Sequence, residues 1–295
     1  MQSKAISEPI EDLSEFCSPK TTWRQQWLTL STGVALRVVS FYPQTPRQPF
    51  PVVLVPGLVS VMLTFKNILI SLTKHFVVHY VETREKSSSI ILQKASFDVE
   101  TIGRDIAEVV SKLDLGEKQY ILFGASLGAT AIIDGYRHLA RKPFCLVLLE
   151  PNAVFDYPAW SLAVIRVGAP FYVVLRPIAK WYLRKFRVNT REDYEMYRIS
   201  SRALDAADPY KLRDTILAIS FYQIWDRLAS VQAPSLVVCA SKDKFHRRED
   251  IAKIVSLLND CTYLDLETHE HTHGKEFGKY FEQYINQLIA KKKEK

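Results

Sequence analysis

A chain of 295 residues, 47% apolar and 24% charged, is long enough to bury a substantial core and is neither a disordered tail nor a disulfide-stapled peptide. Its net charge of +7 is moderate, and without a recognition module it argues only for non-specific attraction, so nucleic acid is not an expected partner. Four cysteines (Cys17, Cys145, Cys239, Cys261) lack metal-ligand spacing, and no metal or other cofactor is expected.

Residues 1–8 lack the apolar core of a signal peptide, which makes a cytoplasmic location the expectation. The polar residues 1–22 are expected as a loosely held lead-in. Residues 23–31, Thr32-Gly33 and residues 34–41 read as a β-hairpin. Residues 48–65 carry no charge, yet Pro49, Pro51, Pro56 and Gly57 break the run, so a buried strand (51–55) and a loop explain it better than a membrane span. A helix over 65–75, a strand over 76–81 and a polar loop over 84–97 follow. Asp98 then caps an amphipathic helix with Val99, Ile102, Ile106, Val109, Val110 and Leu113 at helical spacing and Gly116 past its end. Next come a strand (120–123), a helix from 127 to about 140, and a strand (145–149). This alternation calls for a mostly parallel sheet with helices on both faces.

The rhythm breaks over 152–232, a long aromatic-rich, helix-like stretch punctuated by Pro158, Pro170, Pro177 and Pro209. It resumes with a strand (235–239), a helix (248–258), a strand (262–266), a helix (277–290) and a solvated tail. The expected organisation is one α/β domain, residues 23–151 and 233–295, interrupted by a helical insertion.

Gly124-Ala125-Ser126-Leu127-Gly128 is G-x-S-x-G between a strand and a helix. There the serine is forced into a strained backbone, and the glycines remove side chains that would collide across the turn. A serine hydroxyl needs a base, and the base needs an orienting group. Asp243, just past the strand that follows the insertion, is the expected acid; Glu150 and Asp156, after the preceding strand, compete with it. The base is expected after the last strand, where three of the seven histidines fall within five residues. His271 is preferred as the central one, 28 residues after Asp243, with His273 and His269 as alternatives.

The order Ser126, Asp243, His271, with the turn after the fifth strand and the insertion after the sixth, resembles the α/β-hydrolase superfamily over roughly residues 23–290. The resemblance implies an α/β-hydrolase fold with a helical cap. It implies an oxyanion hole from the backbone N–H groups of Leu58 and Leu127, Pro56-Gly57-Leu58 standing where the family carries His-Gly-x. A second departure is Glu82-Thr83-Arg84-Glu85-Lys86-Ser87 in place of a glycine-rich turn. The implied chemistry is an acyl-enzyme on Ser126. Dehalogenation is disfavoured because its nucleophile would be an aspartate.

Between Trp160 and Arg202 nine Lys/Arg face three acids, nearly the whole excess charge of the chain. Aromatic residues interleave with them, and Trp160, Phe171 and Trp181 are expected to contact substrate. Three uses of this segment stand open: a cap helix with a solvated basic side, an apolar acyl tunnel with a basic rim, or peripheral docking on an anionic membrane. The expected substrate is a small-molecule ester or thioester with an apolar acyl group. C–C bond hydrolysis or acyl transfer by the same triad is the alternative, and a non-catalytic ligand-binding homologue a lesser one.

Overall fold

The computed structural model describes residues 12–113, 115, 119–187, 194–242 and 247–294. Nine strands form one sheet: β1 (Thr21–Thr29), β2 (Val34–Pro43), β3 (Val52–Val55), β4 (Val78–Val81), β5 (Ile90–Ile91), β6 (Ile121–Ala125), β7 (Cys145–Leu149), β8 (Ser235–Cys239) and β9 (Cys261–Asp265). The order is β1-β2-β4-β3-β6-β7-β8-β9, with β5 on β2. β2 is antiparallel to β1, β4 and β5, and every other pair is parallel.

The central strands read as continuous apolar runs because both faces are covered. On β3, Val53 and Val55 enter one core and Val52 and Leu54 the other, the two-residue alternation of a strand. Helices α1 (Lys66–Leu72), α2 (Val99–Lys112) and α3 (Leu127–Gly135) precede β7. Five more lie between β7 and β8 among the described residues: α4 (Ala159–Gly168), α5 (Tyr172–Tyr182), α6 (Tyr194–Ala206), α7 (Pro209–Ile219) and α8 (Trp225–Leu228). α9 (Arg248–Leu257), α10 (His269–His273) and α11 (Lys275–Lys293) complete the chain. Asp98 caps α2 as expected, its carboxylate accepting from the Thr101 N–H at 2.8 Å. The ends of the insertion meet: Phe155 N–H donates to Tyr222 O, and Ile224 N–H to Ala153 O.

Three local expectations change. Residues 12–20 are docked, not loose: Leu13 and Phe16 are buried, and the Ser18 N–H and hydroxyl bond to Thr73. The 84–97 segment is not a plain polar loop, since it contains β5 and a fully buried Arg84. That guanidinium makes paired bonds of 2.7 and 2.6 Å to the Asp105 carboxylate on α2, so the two charges enter the core together. Burial raises the Asp105 carboxyl above its ordinary value, and Arg84 opposes that rise. Finally, α11 runs through Lys293, into the expected tail.

Candidate active site

β3, β6, β7, β8 and β9 run parallel, so the loops after them gather at one edge of the sheet, where open α/β sheets place their ligands. Backbone strain gathers there too. Positive φ occurs at Val59 after β3 (57°), Ser126 after β6 (48°), Glu150 after β7 (49°) and Glu267 after β9 (62°). A β-branched residue such as Val59 rarely adopts that conformation, and each strained position costs about 1–3 kcal/mol.

Ser126 occupies the turn between β6 and α3 with φ 48° and ψ −117°. A Cβ at Gly124 would lie 2.6 Å from Ala129 Cα, and one at Gly128 2.4 Å from Val55 O. Neither position tolerates a side chain, which is why the motif needs both glycines. The Ser126 N–H is held by Leu149 O at 2.8 Å, while its hydroxyl donates to Asn152 Oδ1 at 2.6 Å. Asn152 is fixed in turn by Thr130, whose hydroxyl donates to Asn152 O and accepts from Asn152 N–H. No sequence motif marks Asn152; its only signal is its place three residues past β7.

Ser126 lies on the wall of a cavity of about 390 Å³ that also takes in Glu150, Asn152, His269 and His273. Thr268 caps α10, accepting from the His271 N–H at 3.3 Å. On a helix, residues i and i+4 share a face and i+2 lies nearly opposite. Accordingly His269 and His273 stack with centroids 3.9 Å apart and reach the cavity together. His271 is exposed, and its Nδ1 is 3.1 Å from Leu266 O. The structure thus brings the two alternative histidines to Ser126's cavity and leaves the preferred one outside its lining. The His273 Nδ1 pairs with the Thr272 hydroxyl at 3.0 Å, and its ring lies against Phe65.

Of the acids, Asp243 lies outside the described residues. Glu150 is buried at the cavity, and its carboxylate accepts from the Ala240 N–H at 3.2 Å. Asp156 is exposed and faces Arg247 at 3.9 Å. Among the described residues no group of His, Cys, Asp or Glu could hold a metal ion.

Leu58 lines the same cavity, and Leu127 is the first residue of α3, where N–H groups have no partner within the helix. Gly57 fits tightly against the turn, since a Cβ there would be 3.0 Å from Ser126 Cβ. Its carbonyl accepts from Lys86 Nζ at 2.6 Å. In a trans peptide C=O and N–H point opposite ways, so holding the Gly57 carbonyl outward fixes the Leu58 N–H. Lys86 is itself placed by Glu85, 2.9 Å away, and by Lys211 of α7, which donates to Lys86 O, Ser89 O and the Ser89 hydroxyl. Burial lowers the Lys211 ammonium below its ordinary value, and the Asp208 and Glu85 carboxylates oppose that fall. The glycine-poor turn noted in the sequence is therefore a brace linking α7, the loop after β4 and the strand end at Gly57.

The roof of the cavity comes from the insertion through Leu183, Ile199, Ala203 and Leu204. Trp160, Phe171 and Trp181, expected to contact substrate, do not line it. They are 73%, 61% and 55% exposed, Trp160 on α4, Phe171 in the turn before α5 and Trp181 on α5. They lie on the exposed face of this run, while Tyr172, Arg176 and Lys180 on its other face meet α6.

No protein-family model matches the chain, and no curated protein matches it in sequence. Solved structures do match. A thermophilic esterase from Thermogutta terrifontis superposes with TM-score 0.73 at 16% identity, covering 90% of this chain and 99% of the esterase. A hydrolase from Pseudomonas aeruginosa gives 0.70 at 17% identity, covering 90% of this chain and 98% of its own. An enol-lactonase from Burkholderia xenovorans gives 0.71 at 14% identity, with 90% and 100% covered. Together with the sheet order and the Ser126 turn, these matches establish that the chain has the α/β-hydrolase fold.

Proposed function

We propose that the protein is a serine hydrolase that cleaves a carboxylic ester or thioester with an apolar acyl group. The observation that carries this is Ser126 on a strained turn, in one cavity with His269 and His273. Esterases, a hydrolase and an enol-lactonase among the similar structures support hydrolysis of a small molecule. Free thiols at all four cysteines support a reducing, cytoplasmic setting.

The Ser126 hydroxyl attacks the carbonyl carbon as a histidine accepts its proton. We assign that role to the pair that lines the cavity in preference to the expected His271, taking His269, the first of the pair after β9, as the base and His273 as its alternative. Asp243 is the proposed orienting acid by its place after β8, with Glu150 as the alternative at the cavity wall. The Leu58 and Leu127 N–H groups receive the oxyanion; the intermediate collapses, breaking the C–O or C–S bond, and the histidine gives its proton to the departing alcohol or thiol. Water then attacks the acyl-enzyme as the histidine takes its proton, and that proton returns to the Ser126 oxygen as the carboxylic acid leaves. Tyr157 and Phe155 add to a largely apolar lining suited to an acyl chain.

A panel of p-nitrophenyl esters and thioesters of graded chain length, run on His269→Ala, His271→Ala and His273→Ala, tests the assignment. His269→Ala is expected to lose about 1,000-fold or more in kcat. Full activity in His269→Ala would return the role to another histidine. Lys86→Met, which releases the Gly57 carbonyl, is expected to lower kcat about tenfold with little change in KM, and Lys86→Arg to recover part of it. An unchanged kcat in Lys86→Met would remove the brace from the mechanism.

A further inference from the structure

The helical run Ala159–Lys185 is long and apolar enough to cross a bilayer, yet only 6% of its most apolar stretch is buried. Trp160, Val164, Val167, Phe171, Val174 and Ile178 recur in steps of four and three, and every one is more than half exposed. Trp181 and Tyr182 close the stripe at its C-terminal end, both about half exposed. A surface helix of a globular protein turns its apolar stripe inward and its charges outward. Here the outer face is apolar along its length and carries the Trp160 and Trp181 indoles, whose amphipathic rings favour the membrane–water boundary.

The inner face is already occupied. The Tyr172 hydroxyl donates to Leu204 O at 2.7 Å, and Arg176 and Lys180 pair with Asp205 of α6 at 3.2 and 2.7 Å. Spanning a membrane would break these bonds to the cap, and Pro170 and Pro177 interrupt the run. A helix lying flat keeps all of them. Over 27 residues it would offer a strip roughly 40 Å long.

Charge selects what covers this strip. Residues 159–187 contain six Lys/Arg and no Asp or Glu. Arg166 and Arg184 are exposed, and Lys185 lies 5.1 Å from the Trp181 ring centroid. A second copy of the chain would bring the same cations against these, which repel. An anionic lipid surface matches both the apolar stripe and the cations beside it.

We infer that α4 and α5 dock on an anionic phospholipid bilayer, stripe down, without crossing it. Leu183, one residue past α5, roofs the Ser126 cavity, so docking sets the cavity beside the lipid surface. On the serine-hydrolase reading, the substrate class is then an acyl lipid drawn from the membrane interface.

The test is co-sedimentation of the full chain with vesicles of phosphatidylcholine alone or with about one-third phosphatidylglycerol, alongside hydrolysis of p-nitrophenyl acetate in solution. The wild type is expected to bind the anionic vesicles more tightly. Trp160→Ser/Phe171→Ser/Ile178→Ser is expected to weaken partitioning by about a hundredfold or more, with p-nitrophenyl acetate turnover unchanged. Arg166→Gln and Arg184→Gln are each expected to cost about fivefold on anionic vesicles and nothing on neutral ones. Absence of wild-type binding would overturn the inference, as would undiminished binding by the triple serine variant. So would a dimer in size-exclusion chromatography that Phe171→Ser dissolves while vesicle binding stays intact. Vesicle binding without ester turnover would leave the docking surface standing and remove the hydrolase reading alone.

Discussion

α2 and the α4–α5 run are both long helical segments, and they present opposite sides to water. In α2 the apolar residues Val99, Ile102, Ile106 and Val109 are buried, and Glu100, Arg104 and Lys112 face solvent. In α4 and α5 no side chain is fully buried, and the apolar stripe is the outer face. The fold accounts for α2 completely, because its stripe is what the sheet needs covered. It accounts only for the inner face of α4–α5. Among the described residues Trp160, Val164, Val167, Phe171, Val174 and Ile178 stay more than half exposed on the outer face, a pattern that docking on a lipid surface would explain.

Substitutions should separate the two regions by their effect on stability. The largest loss is expected from Arg84→Met, which leaves the buried Asp105 carboxylate without its partner and should cost about 3–5 kcal/mol in urea denaturation. A cost under about 1 kcal/mol would mean that the pair does not anchor α2. Ile106→Ala, deleting part of the buried stripe, should cost about 2–4 kcal/mol.

Acid acts on the sheet through one buried group. His79 on β4 is buried opposite Ser40, whose hydroxyl is 2.8 Å from its Nδ1, and burial holds its pKa down to about 4. Below pH 6.5 the unfolded chain takes up a proton that the folded chain refuses until about pH 4. Stability should therefore fall by about 3 kcal/mol as pH drops through that window and then level off. His79→Gln should flatten the dependence between pH 6.5 and 4; an unchanged slope would place the titrating group elsewhere. The smallest effect is expected at Val167→Ser, on the outer stripe, within about 0.5 kcal/mol of the wild type. A loss comparable to Ile106→Ala would show that this face is packed within the molecule after all.

The strained Ser126 turn was legible because its physics is local: two glycines where a Cβ would come within 2.6 Å and 2.4 Å of backbone atoms, a strand before and a helix after. The Asp98 cap and the parallel alternation were legible for the same reason. What escaped was decided across space. Arg84 belongs to a charged stretch that composition reads as solvated, and only the fold brings Asp105 to it. Lys86 braces Gly57 from a loop 29 residues away. The spacing of His269, His271 and His273 says which two share a helical face, but only once α10 is known to be a helix. Trp160, Phe171 and Trp181 were recognisable as one apolar set, while the side they face depends on α6 packing beneath them.

The central claim is that Ser126 is the nucleophile, and a fluorophosphonate probe tests it most directly. Covalent labelling of Ser126 in the wild type is expected, with labelling and p-nitrophenyl ester turnover both lost in a Ser126→Ala protein whose circular dichroism and melting are unchanged. Ester turnover undiminished in Ser126→Ala, or a folded wild type that neither labels nor turns over any ester, would contradict it.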